Sequence, residues 1–456
     1  MDLDSSRGNE RARARWQTLR SAITQKQIPS LEVLEKHSIH RFEGFRLLTR
    51  RSISLESDDK SFTYINDEIA QFHPFGTKVE LHEANFDVIE YETPLPEYFQ
   101  SIAPQKKGDN TNLPSKLRFR TRERKLTSNG MQTKINLQEL NSQAENEGVD
   151  NTGNIRVWDS SSTLAYLLLH GKYSSKLSPE MTLSQQNSFT GLYTPDLNPC
   201  VGIQRVFSLA SGDTKKRLRV IELGAGMASL PSLLLWTLNS VIQEFSLDAP
   251  TVDVTITDGH SRCIYNNIVS AALTWRMNSS QIIQATEPEL SWRLHNLNIE
   301  RLLWKSSEEG FINCKKLMNS VEDPSCREFD LCLVSDCIHF MEHHAALAIT
   351  IGRLLRVGGV CILCQPTRAD SLRKFMELLE AVNVGDPLFE THFYEYYDEV
   401  IVNRHLDLVK EIESKRKYEP SLHYPVILTL RKCRFFDEAT DKANAVVEAD
   451  RIRKSA

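Results

Sequence analysis

Nowhere in the 456 residues is there a run of the roughly 18–20 apolar positions that a membrane span requires. The first twenty residues, MDLDSSRGNERARARWQTLR, also lack the apolar core of a signal peptide. Excess positive charge is missing: 55 Lys and Arg stand against 60 Asp and Glu, a net charge of −5. A general nucleic-acid binder is ordinarily basic, so that class is disfavoured. Nine cysteines in a chain of this length form no disulfide framework, and several lie inside apolar strand-like runs. Cys361 and Cys364 do form a C-x-x-C, in GGVCILCQP, but no second pair is suitably spaced for a zinc site. The segment has the pattern of a buried strand, and the two thiols are read as core residues. No Ser-His-Asp, paired-carboxylate or metal-ligand constellation stands out, and His343 and His344 read as the start of a helix. The resulting expectation is a cytoplasmic protein, with the nucleus also open, acting as a monomer without a membrane or nucleic-acid partner.

What is present is an ordinary globular composition, 40% hydrophobic and 25% charged, with room for two or three domains. Residues 1–40 form a charged extension with a possible short helix. Residues 41–216 hold strand-like pieces and the apolar helix of VWDSSSTLAYLLL, interrupted by a polar insertion at about 93–154 that reads as partly disordered and by a second, loop-like one at about 172–200. From Arg217 to Cys433 strand and helix patterns alternate: LRVIEL, LPSLLLWTLNSVI, VDVTITD, FDLCLVSD, HAALAITIGRLL and GGVCILCQP. That alternation predicts an α/β fold, a doubly wound Rossmann-like parallel sheet with helices on both faces. Residues 434–456 read as a charged, solvated tail.

The chemistry concentrates in VIELGAGMASLPSLLLW, Val220 to Trp236. The dinucleotide fingerprint wants G-x-G-x-x-G and an acid about 20 residues on. Here Gly224 and Gly226 are present, but Ser229 holds the third position and the next strand-end acid, Asp258, comes too late. Glu222, just ahead of the turn, would repel a pyrophosphate and suits a cation better. S-adenosylmethionine, with an ammonium, a sulfonium and no phosphate, fits that requirement. Gly224 and Gly226 let the backbone approach it, Glu222 offsets its charge, and Asp258 is placed for the ribose hydroxyls.

These residues resemble the seven-strand S-adenosylmethionine-dependent methyltransferases. Further segments are similar to the lysine-targeting branch and, within it, to the calmodulin-lysine N-methyltransferases: VWDSSSTLAYLLL, VTITDGHSRCIYNNI, LLWKSSEE, FDLCLVSDCIHF, YYDEVI and LHYPVILTL. The resemblance runs from about Arg46 to Cys433, outside the two insertions. It implies methylation of a lysine ε-amine of calmodulin, up to the trimethyl state. It also implies that Trp158 and Trp304 lie near the cofactor, Trp304 against the adenine, with Trp292 competing for that place. Asp336 would serve the substrate side and the cofactor region. His339 stands where relatives carry an aromatic, and Tyr397, His423 and Tyr424 would line the lysine channel. Other readings stay open: another protein as substrate, a cofactor-binding module without turnover, a helix-capping role for Asp336, and simple packing for Tyr424 and its neighbours. Finally, Arg118, Arg120, Arg122 and Arg124 alternate in KLRFRTRERK. In an extended strand they would form a positive stripe able to steer acidic calmodulin.

Overall fold

The computed structural model describes residues 45–53, 86–103, 113–124, 157–173, 201–210, 217–278, 291–319, 327–339, 341–368, 370–411 and 418–455. The extension at 1–40, most of the second insertion and much of the first therefore lie outside the described residues.

The main sheet contains β4 (Arg217–Leu223), β5 (Thr251–Asp258), β6 (Ser291–Leu294), β7 (Leu297–Arg301), β8 (Phe329–Ser335), β9 (Leu355–Gln365), β10 (Phe389–Tyr394) and β11 (Val426–Lys432), in the order β10-β11-β9-β8-β4-β5-β7-β6. Strands β7, β5, β4, β8 and β9 are mutually parallel, and β11 runs antiparallel between β9 and β10. Seven of the strands make the predicted sheet. The eighth, β6, is a short edge strand antiparallel to β7. Strand order reverses at β4, which is flanked by β5 on one side and β8 on the other. In open α/β sheets the crevice at such a switch point is where ligands bind.

The helices follow from the apolar periodicity. The first, α1 (Asp159–His170), buries Leu164, Leu167 and Leu168; α2 (Leu230–Glu244), with Pro231 in its first turn, buries most of its length. Next come α3 (Ser261–Asn278), α4 (Glu308–Asn319), α5 (His344–Leu354), α6 (Ser371–Val382), α7 (Glu399–Lys410) and α8 (Thr440–Ser455). Cys361 and Cys364 are fully buried on β9, as the strand pattern implied.

Two regions differ from the sequence-based expectation. A three-stranded antiparallel sheet, β1 (Thr49–Ile53), β2 (Phe86–Pro94) and β3 (Lys116–Arg124), reaches into the first polar insertion, because β3 buries Leu117 and Phe119 under its polar sequence. The charged tail is docked rather than solvated. Helix α8 lies against α5 and α6 and buries Ala445, Ala449 and Ile452. Asp441 there takes both Arg434 guanidinium nitrogens at 2.7 Å, and Glu438 takes Arg353 at 2.6 and 2.7 Å.

Candidate active site

Strand β4 ends in a loop that turns at two left-handed glycines, Gly224 (φ +69°) and Gly226 (φ +61°), a conformation that penalises any Cβ. At Gly224 a Cβ would also stand 2.6 Å from Cys337 Sγ and 3.1 Å from the Trp304 ring. The loop is pinned from both neighbours. Ala225 N donates to Thr257 O at 3.0 Å and Gly226 N donates to Asp258 Oδ2 at 2.8 Å. From α3, Asn267 Nδ2 donates to Gly226 O while its Oδ1 accepts from Ser229 N, both at 2.8 Å. Asn266 Nδ2 donates to Met227 O.

Glu222 lies beneath this loop with no solvent exposure. Its Oε2 accepts from the hydroxyls of Ser229 and Ser232, the latter at 2.6 Å, whereas its Oε1 is buried without a partner. Burial pushes its pKa up to about 7, and the two serine hydrogen bonds only partly counteract it. A buried carboxylate oxygen with nothing to accept is costly unless a donor or cation completes it. Asp258, at the end of β5, accepts from Gly226 N and, through Oδ1, from His260 N at 2.7 Å. These bonds hold its carboxylate against the loop.

Trp304 follows β7, half-buried beside Gly224, and its indole Nε1 is buried without a partner. Trp292 belongs to the edge strand β6, opposite Ile299, with its side chain outside the described residues, whereas the Trp304 ring stands against Gly224.

Asp336, after β8, has a left-handed backbone (φ +55°) and is buried. It does not cap the helix that follows, whose N-cap is His343. Arg368, just beyond β9 and also left-handed (φ +49°), donates its Nε to Asp336 Oδ1 at 3.0 Å and a second guanidinium nitrogen to Oδ2. The same guanidinium lies 5.0 Å from the Trp158 ring at the head of α1. Two strained residues held together mark a place where the fold spends stability on a site. His339 turns its Nδ1 to Asp336 O at 3.0 Å. Its neighbour His344 is buried, contacts Ile338 O through Nε2 at 2.9 Å, and has its pKa lowered by burial to about 4.

The tyrosines named for the lysine channel are both buried. Tyr397 has no exposure and donates its hydroxyl to Pro425 O at 2.6 Å; Tyr424 is 4% exposed and donates to Glu395 O at 2.5 Å. Their rings stack 6.3 Å apart, and His405 stacks on Tyr424 at 4.0 Å. His423 is buried and accepts from Glu419 N at 2.8 Å. These side chains pack together between the end of β10 and the start of β11.

The arginine stripe is likewise taken up internally. Arg118 pairs with Glu92 and Arg120 with Glu90, both across the β2–β3 ladder, while Arg122 is buried over the Phe86 ring. The side chain of Arg124 lies outside the described residues.

A doubly wound α/β domain with a glycine loop and strand-end acids at its switch point is the class that fold and site define. Residues 305–382, which include Asp336 and Arg368, match the family model for lysine methyltransferases. The chain is 27% identical over 217 residues to the calmodulin-lysine N-methyltransferase of Arabidopsis thaliana, covering 46% of this chain and 56% of that protein. It thus spans just over half the length of that relative. Among solved structures, the plantazolicin methyltransferase BamL, in complex with a triazolic desmethylPZN analog and SAH, aligns at 12% identity and TM-score 0.29, covering 60% of this chain and 85% of that one. An rRNA methylase from Streptococcus thermophilus aligns at 9% and 0.26, covering 50% and 92%.

Proposed function

We propose that this protein transfers methyl groups from S-adenosylmethionine to the ε-amine of a lysine in a protein substrate, with calmodulin as the first candidate and trimethyl-lysine as the end point. The observation that carries the reading is the buried Glu222 carboxylate, with one oxygen unpartnered, beneath a left-handed glycine loop. Such a site suits a cation-bearing, phosphate-free cofactor. The match of residues 305–382 supports lysine as the acceptor class.

In this reading Glu222, Gly224, Gly226, Asp258 and Trp304 hold the cofactor, which when bound supplies an electrophilic methyl group. Trp158, Asp336 and Arg368 frame the neighbouring substrate side. A lysine amine must be neutral to attack, yet its reference pKa is near 10.4. No free strong base stands ready among these groups. Both Asp336 oxygens accept from Arg368, and the Tyr397 and Tyr424 hydroxyls are committed to carbonyls, with pKa values pushed upward by burial. Desolvation of the incoming ammonium and alignment with the methyl donor therefore do the work.

A second reading keeps the chemistry but assigns a different protein substrate. The pairing of Arg118 with Glu92 and of Arg120 with Glu90 favours it, since it offsets part of the positive charge that would steer acidic calmodulin. The test incubates purified protein with labelled cofactor and either unmethylated calmodulin or a lysate. Stepwise methylation of one calmodulin lysine supports the first reading; label on other proteins alone supports the second. A cytoplasmic or nuclear place of action is proposed with either.

A further inference from the structure

The three-stranded sheet has an edge to satisfy. Strand β3 pairs with β2 on one side only, and its other edge presents the backbone groups of Arg118, Arg120 and Arg122. Unpaired strand edges are ordinarily covered or blunted. Here the cover is the polar stripe of α3, Asn266, Ser270, Thr274 and Asn278, one residue per helical turn on a single face. Arg120 N donates to Thr274 Oγ1 at 2.9 Å, and that hydroxyl lies 3.0 Å from Arg120 O. Arg122 N donates to Ser270 Oγ at 3.1 Å, and Asn278 Nδ2 donates to Arg118 O at 3.2 Å.

The stripe ends at Asn266, whose amide does two things. Its Nδ2 donates to Arg122 O of β3 at 2.7 Å and also to Met227 O of the glycine loop. Its Oδ1 accepts from Arg122 Nη1 at 3.1 Å, which fixes the orientation of the amide. The next residue, Asn267, grips Gly226 and Ser229. One turn of α3 thus holds the N-terminal sheet and the loop together.

We propose that Asn266 is a positioning residue, and that through it the docked β1–β3 sheet sets the cofactor affinity of the glycine loop. This rests on the reading that the loop holds S-adenosylmethionine. If docking shapes the loop, linkage requires the converse: cofactor binding must tighten the docking.

S-adenosylhomocysteine binding by the full chain is measured by calorimetry, and backbone hydrogen exchange over residues 116–124 is followed with and without that ligand. The ligand is expected to slow exchange at Arg120 and Arg122. A Ser270→Ala/Thr274→Val double variant, which touches β3 but not the loop, should bind roughly tenfold more weakly, because net hydrogen-bond contributions are of that order. Its KM for S-adenosylmethionine should rise while kcat at saturating cofactor stays within about twofold; Thr274→Ser, which keeps the hydroxyl, should bind like wild type. Wild type that binds while exchange is unchanged, or a double variant that binds equally well, overturns the coupling alone. Wild type that binds no S-adenosylhomocysteine overturns the cofactor reading and the coupling together. The exchange measurement needs no substitution, so instability of the double variant does not blunt it.

Discussion

Glu222 carries a conflict between stability and binding that can be measured. In the unfolded chain it ionises near 4.5, whereas the folded chain retains its proton until about 7. The group therefore favours folding most below pH 4.5, and that contribution is lost as pH rises through 7. From about 1.4 kcal/mol per tenfold change in ionisation constant, the cost at pH 8 reaches roughly 3 kcal/mol. Glu222→Gln, which keeps an acceptor for Ser229 and Ser232, should raise the melting temperature at pH 8 and have little effect near pH 4. The same variant should weaken binding of S-adenosylmethionine, since the charge that offsets the cation is gone. Equal melting curves at pH 8 would contradict the burial argument.

Arg368 shows the opposite balance. Breaking a buried ion pair from one side strands a charge and typically costs about 3–5 kcal/mol, while removing both partners costs much less. Asp336→Asn and Arg368→Met, measured singly and together by urea unfolding, should be strongly non-additive. The sequence pointed to Asp336 through its place after FDLCLVSD, but gave no sign of Arg368, 32 residues away. The placing of Glu222, Gly224, Gly226 and Asp258 at adjoining strand ends was legible because it depends on local sequence alone. For Tyr397 and Tyr424 the sequence left lining and packing both open, because an aromatic beside a site and an aromatic beneath it have the same sequence signature. The hydroxyl-to-carbonyl pairings that hold them span 28 and 29 residues and have no local signal.

Among elements, the strand–helix alternation from Arg217 onward was readable because parallel strands buried on both faces become short apolar runs. Strand β3 was not, because its outward positions are arginines and its burial depends on a helix more than a hundred residues later. The i, i+4 stripe of Asn266, Ser270, Thr274 and Asn278 was the available signal: a polar row along a buried helix asks for a polar partner. The tail misled for a similar reason, since α8 has few apolar residues, of which Ala445, Ala449 and Ile452 are buried, while Glu438 just ahead of it pairs with Arg353. Removing residues 434–456 should strand the buried Arg353, cost roughly 3 kcal/mol, and lower the melting temperature by about 6 °C or more. An unchanged melt would mean that α8 contributes nothing to the fold.

At the scale of the whole molecule, two pH responses follow. Burial lowers the pKa of both His344 and His405 to about 4. Each must stay neutral in the folded state, so their contribution to stability is full above about 6.5 and is lost as pH falls toward 4. Denaturant midpoints measured across that window should decline toward acid, and less so when His405, stacked on Tyr424, is replaced by Phe. Catalysis should respond in the same direction. With both Asp336 oxygens taken by Arg368, kcat/KM should climb with pH as the lysine loses its proton.

Methyl transfer to lysine at the Glu222–Asp258 loop is tested by mass spectrometry of unmethylated calmodulin, and in parallel of lysate proteins, after incubation with the purified chain and S-adenosylmethionine, beside an Asp258→Ala control. Stepwise gains of one methyl mass on a lysine peptide are expected, abolished in the control because Gly226 and His260 lose their common acceptor. A folded wild-type chain that binds S-adenosylmethionine yet labels no lysine in calmodulin or lysate would contradict methyl transfer and identify a cofactor-binding module without turnover.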